Sequence, residues 1–141
     1  MESRQRLDQQ LCFALYTAAR TAAAAYRDDL AELGLTYTQY VTLLALWERD
    51  GQTVSELGEA LRLDSGTLSP LLRRLEAAGF VERLRDQDDE RRVNIHLTDA
   101  AQALETQACA LQDKLAQRVH LTPAEAETLR SLAQRFSATT D

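Results

Sequence analysis

Between residues 65 and 97 the spacing of apolar side chains switches from a helical period to an alternating one. No other feature constrains the fold as strongly. Leu68, Leu71, Leu72 and Leu75 stand at i, i+3, i+4 and i+7, the buried stripe of a helix. The opposite face carries Ser65, Ser69 and Arg73, flanked by Thr67 and Arg74. Asp64 or Ser65 caps this helix, and Gly79 followed by apolar Phe80 marks its end. Pro70 removes one helical hydrogen bond, which predicts a slackened second turn. Beyond Gly79 the period becomes two. Phe80 to Arg85 reads as one strand and Val93-Asn94-Ile95-His96-Leu97 as another, with the polar string RDQDDER as a hairpin tip.

Helices surround this unit. The chain from 7 to 33 reads as one long helix whose stripe holds Leu7, Leu11, Leu15, Ala18, Ala22, Ala25 and Leu33, with Gly34 as its stop. Its small side chains let a second helix approach closely. Thr36 with Gln39 and Thr53 with Glu56 are capping boxes for two shorter helices, the first carrying Leu43, Leu44, Leu46 and Trp47, the second Val54, Leu57 and Leu61. Thr98 opens a fifth helix on which Ala101, Leu104, Ala108, Leu111 and Leu115 make a heptad-like seam suited to a partner helix. Thr122-Pro123-Ala124-Glu125 opens a sixth with Leu129, Leu132 and Phe136, and residues 137–141 read as a frayed tail.

Composition narrows the function. The 141 residues are 45% apolar and 27% charged, so the chain is globular, and no apolar run has the length of a membrane span. A cytoplasmic location is expected, since the start lacks a secretory apolar stretch. Two Cys and two His provide neither a disulfide framework nor a zinc set, so no metal and no cofactor are expected. A net charge of −6 argues against a nucleic-acid partner as a sum. The basic residues, however, are almost all Arg, the side chain that forks onto phosphates and guanine edges. Arg73, Arg74, Arg83, Arg85, Arg91 and Arg92 share the stretch 73–92 with six acids. Affinity for DNA then requires a geometry that points Arg one way and carboxylates another.

Two short helices, a polar-faced helix and a charged hairpin are the order of a winged helix-turn-helix, mainly α with a small β-hairpin wing. Ser65, Thr67 and Ser69 are short enough to admit a backbone to a groove, while Arg73 or Arg74 reaches bases or phosphates. At the hairpin tip Arg91 is placed for the adjacent minor groove, with Asp89 two residues earlier to hold its guanidinium. The alternative is a solvated helix face and a charged hairpin in an ordinary α+β domain. Three parts follow: an N-terminal dimerisation helix (1–35), a double-stranded-DNA-binding domain (36–98) and C-terminal dimerisation helices (99–141). A middle unit of this size cannot cover three terminal helices, so a two-fold homodimer facing a palindromic site is expected.

Asp89-Glu90-Arg91 is followed by Val93, Ile95, Leu97 and Thr98, and the chain also holds Leu11-Cys12-Phe13-Ala14-Leu15-Tyr16, Thr36-Tyr37-Thr38-Gln39-Tyr40 and Leu63-Asp64-Ser65-Gly66-Thr67-Leu68-Ser69-Pro70-Leu71-Leu72. By the first pattern the chain resembles the MarR family, and by the three longer strings the organic hydroperoxide resistance repressors within it. Where the subgroup often carries Pro, this chain has Thr38. The resemblance implies that Cys12 is a peroxide-sensing thiolate, that Tyr26 and Tyr37 activate it, and that Cys109 resolves its oxidised form.

The residues themselves are consistent with that. Cys12 lies near a helix start, where the dipole favours a thiolate, and its neighbours Leu11, Phe13, Leu15 and Tyr16 favour an organic hydroperoxide as oxidant. A small buried hydrophobe is the competing reading of Cys12, and a core aromatic that of Tyr26. Tyr26 follows Cys12 by about 21 Å along one helix at 1.5 Å per residue, so both phenols are expected from the partner subunit. Cys109 stands one position off the seam, as a resolving or a bystander thiol. The expected function is a non-enzymatic repressor released from its operator by oxidation. The alternatives are a MarR-type regulator answering a small aromatic ligand and, in a different class, a small thiol peroxidase.

Overall fold

A computed structural model describes residues 6–139. After a single 3-10 turn at Leu7–Gln9 come α1 (Leu11–Glu32), α2 (Tyr37–Glu48), β1 (Gln52–Thr53), α3 (Val54–Leu61), α4 (Ser65–Ala77), β2 (Val81–Arg85), β3 (Val93–Leu97), α5 (Asp99–Arg118) and α6 (Pro123–Thr139). The strands form an antiparallel sheet in the order β1-β3-β2. This is the winged helix-turn-helix expected, with helices before and after it. No helix among the described residues is long and apolar enough to cross a membrane.

Local chemistry sets each boundary. Thr36 Oγ1 accepts from the Gln39 N–H at 3.3 Å while Gln39 Oε1 accepts from the Thr36 N–H at 3.0 Å, a complete capping box. Thr53 Oγ1 accepts from the Glu56 N–H at 3.1 Å and donates to Glu56 Oε1 at 3.1 Å. Asp64, not Ser65, caps α4, accepting from the Thr67 N–H at 2.7 Å. Thr98 caps α5 and also donates to the Gly79 carbonyl at 2.6 Å, tying the start of α5 to the end of α4. Gly79 has φ +83°, and its N–H bonds Glu76 O while that of Phe80 bonds Leu75 O, both at 3.0 Å. That pattern is a Schellman stop. Helix α4 runs unbroken through Pro70.

The core lies where α2, α3, α4 and the sheet converge. Leu43, Leu46, Leu57, Leu68, Leu75 and Ile95 have no exposed surface, and each contributes about 1.5–3 kcal/mol relative to exposure. Trp47 Nε1 donates to the Ala101 carbonyl at 3.1 Å and pins α5 onto α2.

Several expectations are corrected. The α-helix starts at Leu11, because Leu7–Gln9 close a 3-10 turn and Arg6 pairs with Asp8 at 2.8 Å. A two-residue strand, Gln52–Thr53, adds a third member to the sheet, pairing with Ile95 and Asn94. Along the stripe read from the sequence, Leu7, Leu11, Ala18 and Ala22 are exposed in the protomer, and full burial is reached only at Leu30. The α5 seam is occupied by its own protomer. Ala101, Ala108 and Leu111 are buried and Leu104 half-buried against α1, α2 and β3. Helix α6 continues to Thr139, so the frayed tail does not begin at 137; residues 140–141 lie outside the described part.

Candidate nucleic-acid interface and thiol–tyrosine site

The fold presents the recognition face as its caps dictate. With Asp64 as cap, Ser65 is the first helical residue, and Ser65, Thr67, Arg73 and Arg74 are exposed while Ser69 is half-buried. Hydrogen bonding from Thr67 holds the Asp64 carboxyl below the usual carboxylate range, so the cap is ionised at neutral pH. The hairpin tip is closed by the Asp86 N–H on Arg92 O at 2.9 Å. Asp89 Oδ1 accepts from the Arg91 backbone N–H at 3.0 Å and from Arg91 Nε at 3.4 Å. The Arg91 side chain is nonetheless 93% exposed, so the pair orients the guanidinium without hiding it.

Among the described residues, Arg91 is the one arginine of the 73–92 stretch that forms an ion pair. The other five are left unneutralised by the six acids around them. Arg83 lies opposite Ile95 and Arg85 opposite Val93, so their Cβ atoms share the sheet face of those residues. Between α3, the start of α4 and the wing lies a cavity of about 970 Å³, bordered by Ser65, Arg91 and Arg92 and also by Arg62, which its sequence context did not single out.

The second group is built on α1, α2 and α5. The rings of Tyr26 and Tyr37 lie 5.6 Å apart, and Tyr40 joins them at 5.6 Å from Tyr26 and 6.3 Å from Tyr37. Burial pushes the Tyr26 phenol up to about 12, reinforced by the negative charge Tyr40 and Tyr37 would carry. Tyr40 is 1% exposed and its hydroxyl accepts from Gln112 Nε2 at 3.3 Å. Burial raises its pKa as well; the Gln112 bond opposes that, and Cys109 is near enough to add to it. Sequence reasoning passed over Tyr40, although its place one turn after Tyr37 was the available signal.

Cys12 is not in this group. It sits in the first turn of α1, exposed, beside exposed Leu11, Phe13 and Tyr16. Both cysteines are free and exposed. The structure thus joins Tyr26 to Tyr37, brings Cys109 close to Tyr40, and leaves Cys12 apart from all of them within the protomer. At the other end of the chain, Leu129, Leu132 and Phe136 of α6 are exposed.

Comparisons with known proteins agree on the family. The MarR family model matches residues 35–93. The HTH-type transcriptional regulator TtmR of Methylorubrum extorquens is 58% identical over 100 residues, 71% of this chain; the chain spans about half (51%) of that relative's length. The organic hydroperoxide resistance transcriptional regulator of Bacillus subtilis is 46% identical over 73% of this chain and 70% of its own. Reduced AbfR bound to DNA superposes with a TM-score of 0.84 at 37% identity, covering 100% of both chains, and disulfide-formed AbfR with a TM-score of 0.70 at 37% identity, covering 94% of this chain and 93% of that one. On the shared fold, the matched family region and these identities, the chain belongs to the MarR family.

Proposed function

We propose that this chain is a homodimeric repressor that binds palindromic operator DNA and is released when organic hydroperoxides oxidise Cys12. The observation that carries this reading is the division of the sensor. Tyr26 and Tyr37 meet in one protomer at 5.6 Å, while Cys12 stands about 21 Å up α1 from Tyr26, exposed among apolar side chains. A second copy is what closes that distance. The small side chains of α1 and the exposed apolar residues of α6 supply the surface for it. The partner's Tyr26 and Tyr37 then stand beside Cys12, each offering a phenol O–H that can donate to a thiolate.

The chemistry follows from that placement. The Cys12 thiolate attacks the distal peroxide oxygen; an S–O bond forms, the O–O bond breaks, and the alkoxide leaves as the alcohol after taking a proton. A hydrogen bond from a phenol stabilises the thiolate beforehand. The Cys109 thiolate of the other protomer, near Tyr40, attacks the sulfenic sulfur; an S–S bond forms and hydroxide leaves as water. Closing that bond draws α1 toward α5. Because Trp47 and Thr98 tie α5 to the winged unit, the two recognition helices shift and no longer match two half-sites. A coupling of about 1–3 kcal/mol between the sites gives 5- to 150-fold release.

The test is fluorescence anisotropy on a labelled duplex selected from a random library, with cumene hydroperoxide added. Wild type dissociates and Cys12→Ser stays bound. Equal dissociation of the two proteins sinks the redox reading.

A further inference from the structure

Three helices of this chain end in the same way, and one of them breaks the usual residue rule. Helices α1 and α4 stop with glycines in the left-handed region, Gly34 at φ +76° and Gly79 at φ +83°. Helix α3 stops with the same hydrogen-bond pattern: the Arg62 N–H bonds Glu59 O at 3.3 Å and the Leu63 N–H bonds Gly58 O at 3.0 Å. Its left-handed residue is Arg62, at φ 55° and ψ 42°, the only non-glycine with positive φ among the described residues. A side chain with a Cβ is disfavoured there, and glycine is the relaxed choice. What arginine adds is its guanidinium, which is exposed and forms no hydrogen bond or ion pair among the described residues.

Its position is specific. Arg62 lies in the turn of the helix-turn-helix, three residues before Ser65, and borders the same cavity as Arg91 and Arg92 of the wing. A recognition helix in one groove and a wing in the next leave a sugar–phosphate strand running between them. That cavity is the gap between the two elements. Of the carboxylates bordering it, Glu56 is engaged by Arg49 at 2.6 Å and Asp64 by the Thr67 N–H, while Glu59 makes no ion pair.

We infer that Arg62 is a phosphate-contacting residue, holding the DNA strand that passes between the recognition helix and the wing. This rests on the DNA-binding reading above and adds a contact that lies outside both the recognition helix and the hairpin. The competing role is local: Arg62 also borders a smaller cavity, about 520 Å³, against Arg130 and Gln134 of α6.

The experiment compares wild type, Arg62→Gly and Arg62→Lys on a fluorescein-labelled duplex selected from a random library with the wild-type protein. Affinity is measured between roughly 50 and 300 mM NaCl, alongside thermal unfolding. Glycine keeps the left-handed backbone, so the expected Tm of Arg62→Gly is equal to or above wild type. Its affinity falls about tenfold, and its log–log salt slope becomes shallower by about 0.9 per protomer, the release lost with one phosphate contact. Arg62→Lys keeps the wild-type slope. An unchanged slope in Arg62→Gly overturns the assignment, as does a lowered Tm with weakened self-association, which would place the side chain in service of α6. Salt-independent or absent binding by the wild type overturns the DNA reading itself, and this inference with it.

Discussion

Cys12 and Tyr26 stand on one unbroken helix, fourteen positions apart, so no rotamer brings the thiol to the phenol within a protomer. Tyr26 instead packs on Tyr37 and Tyr40, and the thiol is left in the open. A protein that uses these groups together must assemble them from two chains.

The tyrosine cluster gives a pH dependence with a definite sign. Tyr26 titrates at about 12 in the folded state against an ordinary value near 10. The folded chain therefore holds a proton that the unfolded chain has lost, and this contribution is fully present below pH 10. It declines as pH rises from about 10 toward 12. Tyr26→Phe removes that part of the alkaline decline, and urea unfolding across this range measures it. An identical decline in both proteins contradicts the assignment.

Gly58 tests the packing under the helix-turn-helix. Gly→Ala inside a helix ordinarily stabilises by about 1 kcal/mol. Here a Cβ at Gly58 stands 3.0 Å from the Leu63 backbone oxygen, in the turn that aims α4. We expect Gly58→Ala to lose that gain, fall about 1 kcal/mol below wild type and weaken DNA binding. Chemical denaturation and anisotropy read the two effects.

Arg91 is oriented by Asp89 yet 93% exposed. Arg91→Ala is expected to weaken operator binding by about 1–3 kcal/mol, and Asp89→Ala by less, because it frees the guanidinium without removing it. Thermal unfolding is expected to be unchanged in both, within about 0.5 kcal/mol.

Helix α6 offers Leu129, Leu132 and Phe136 to solvent in the isolated protomer. Phe136→Asp is expected to shift a dimer toward monomer in sedimentation velocity while leaving the far-ultraviolet circular dichroism intact. A dimer of undiminished affinity would remove α6 from the interface.

Much of the fold was legible because its boundaries are chemical. Thr36 with Gln39, Asp64 and Thr98 each announce a helix start by a side-chain oxygen that accepts from a free backbone N–H, and Gly79 announces a helix stop by its left-handed backbone. Other features carry no such signal. Gln52–Thr53 is too short for alternation to register, and its strand exists because β3 offers it an edge. The 3.5-residue spacing on α5 revealed an apolar seam but not which helix faces it, and α1 and α2 of the same chain take that place. Arg62 in a left-handed turn was invisible because glycine is the residue that usually marks one. In the candidate site, the Asp89–Arg91 pair followed from spacing alone. For Tyr40 the spacing shows only that it lies one turn after Tyr37; its packing on Tyr26 depends on how α1 crosses α2.

A dimer built from two different subunits tests whether each sensor is shared between two chains. One subunit carries Cys12→Ser with both tyrosines intact; the other keeps Cys12 but carries Tyr26→Phe and Tyr37→Phe. If the phenols act across the interface, this dimer retains one complete sensor. Its single Cys12 then forms sulfenic acid with cumene hydroperoxide at close to the wild-type rate per site, as read by a sulfenic-acid trap. If the phenols act within their own chain, no complete sensor remains. Oxidation slowed to the rate of the homodimer that lacks both phenols would contradict the account.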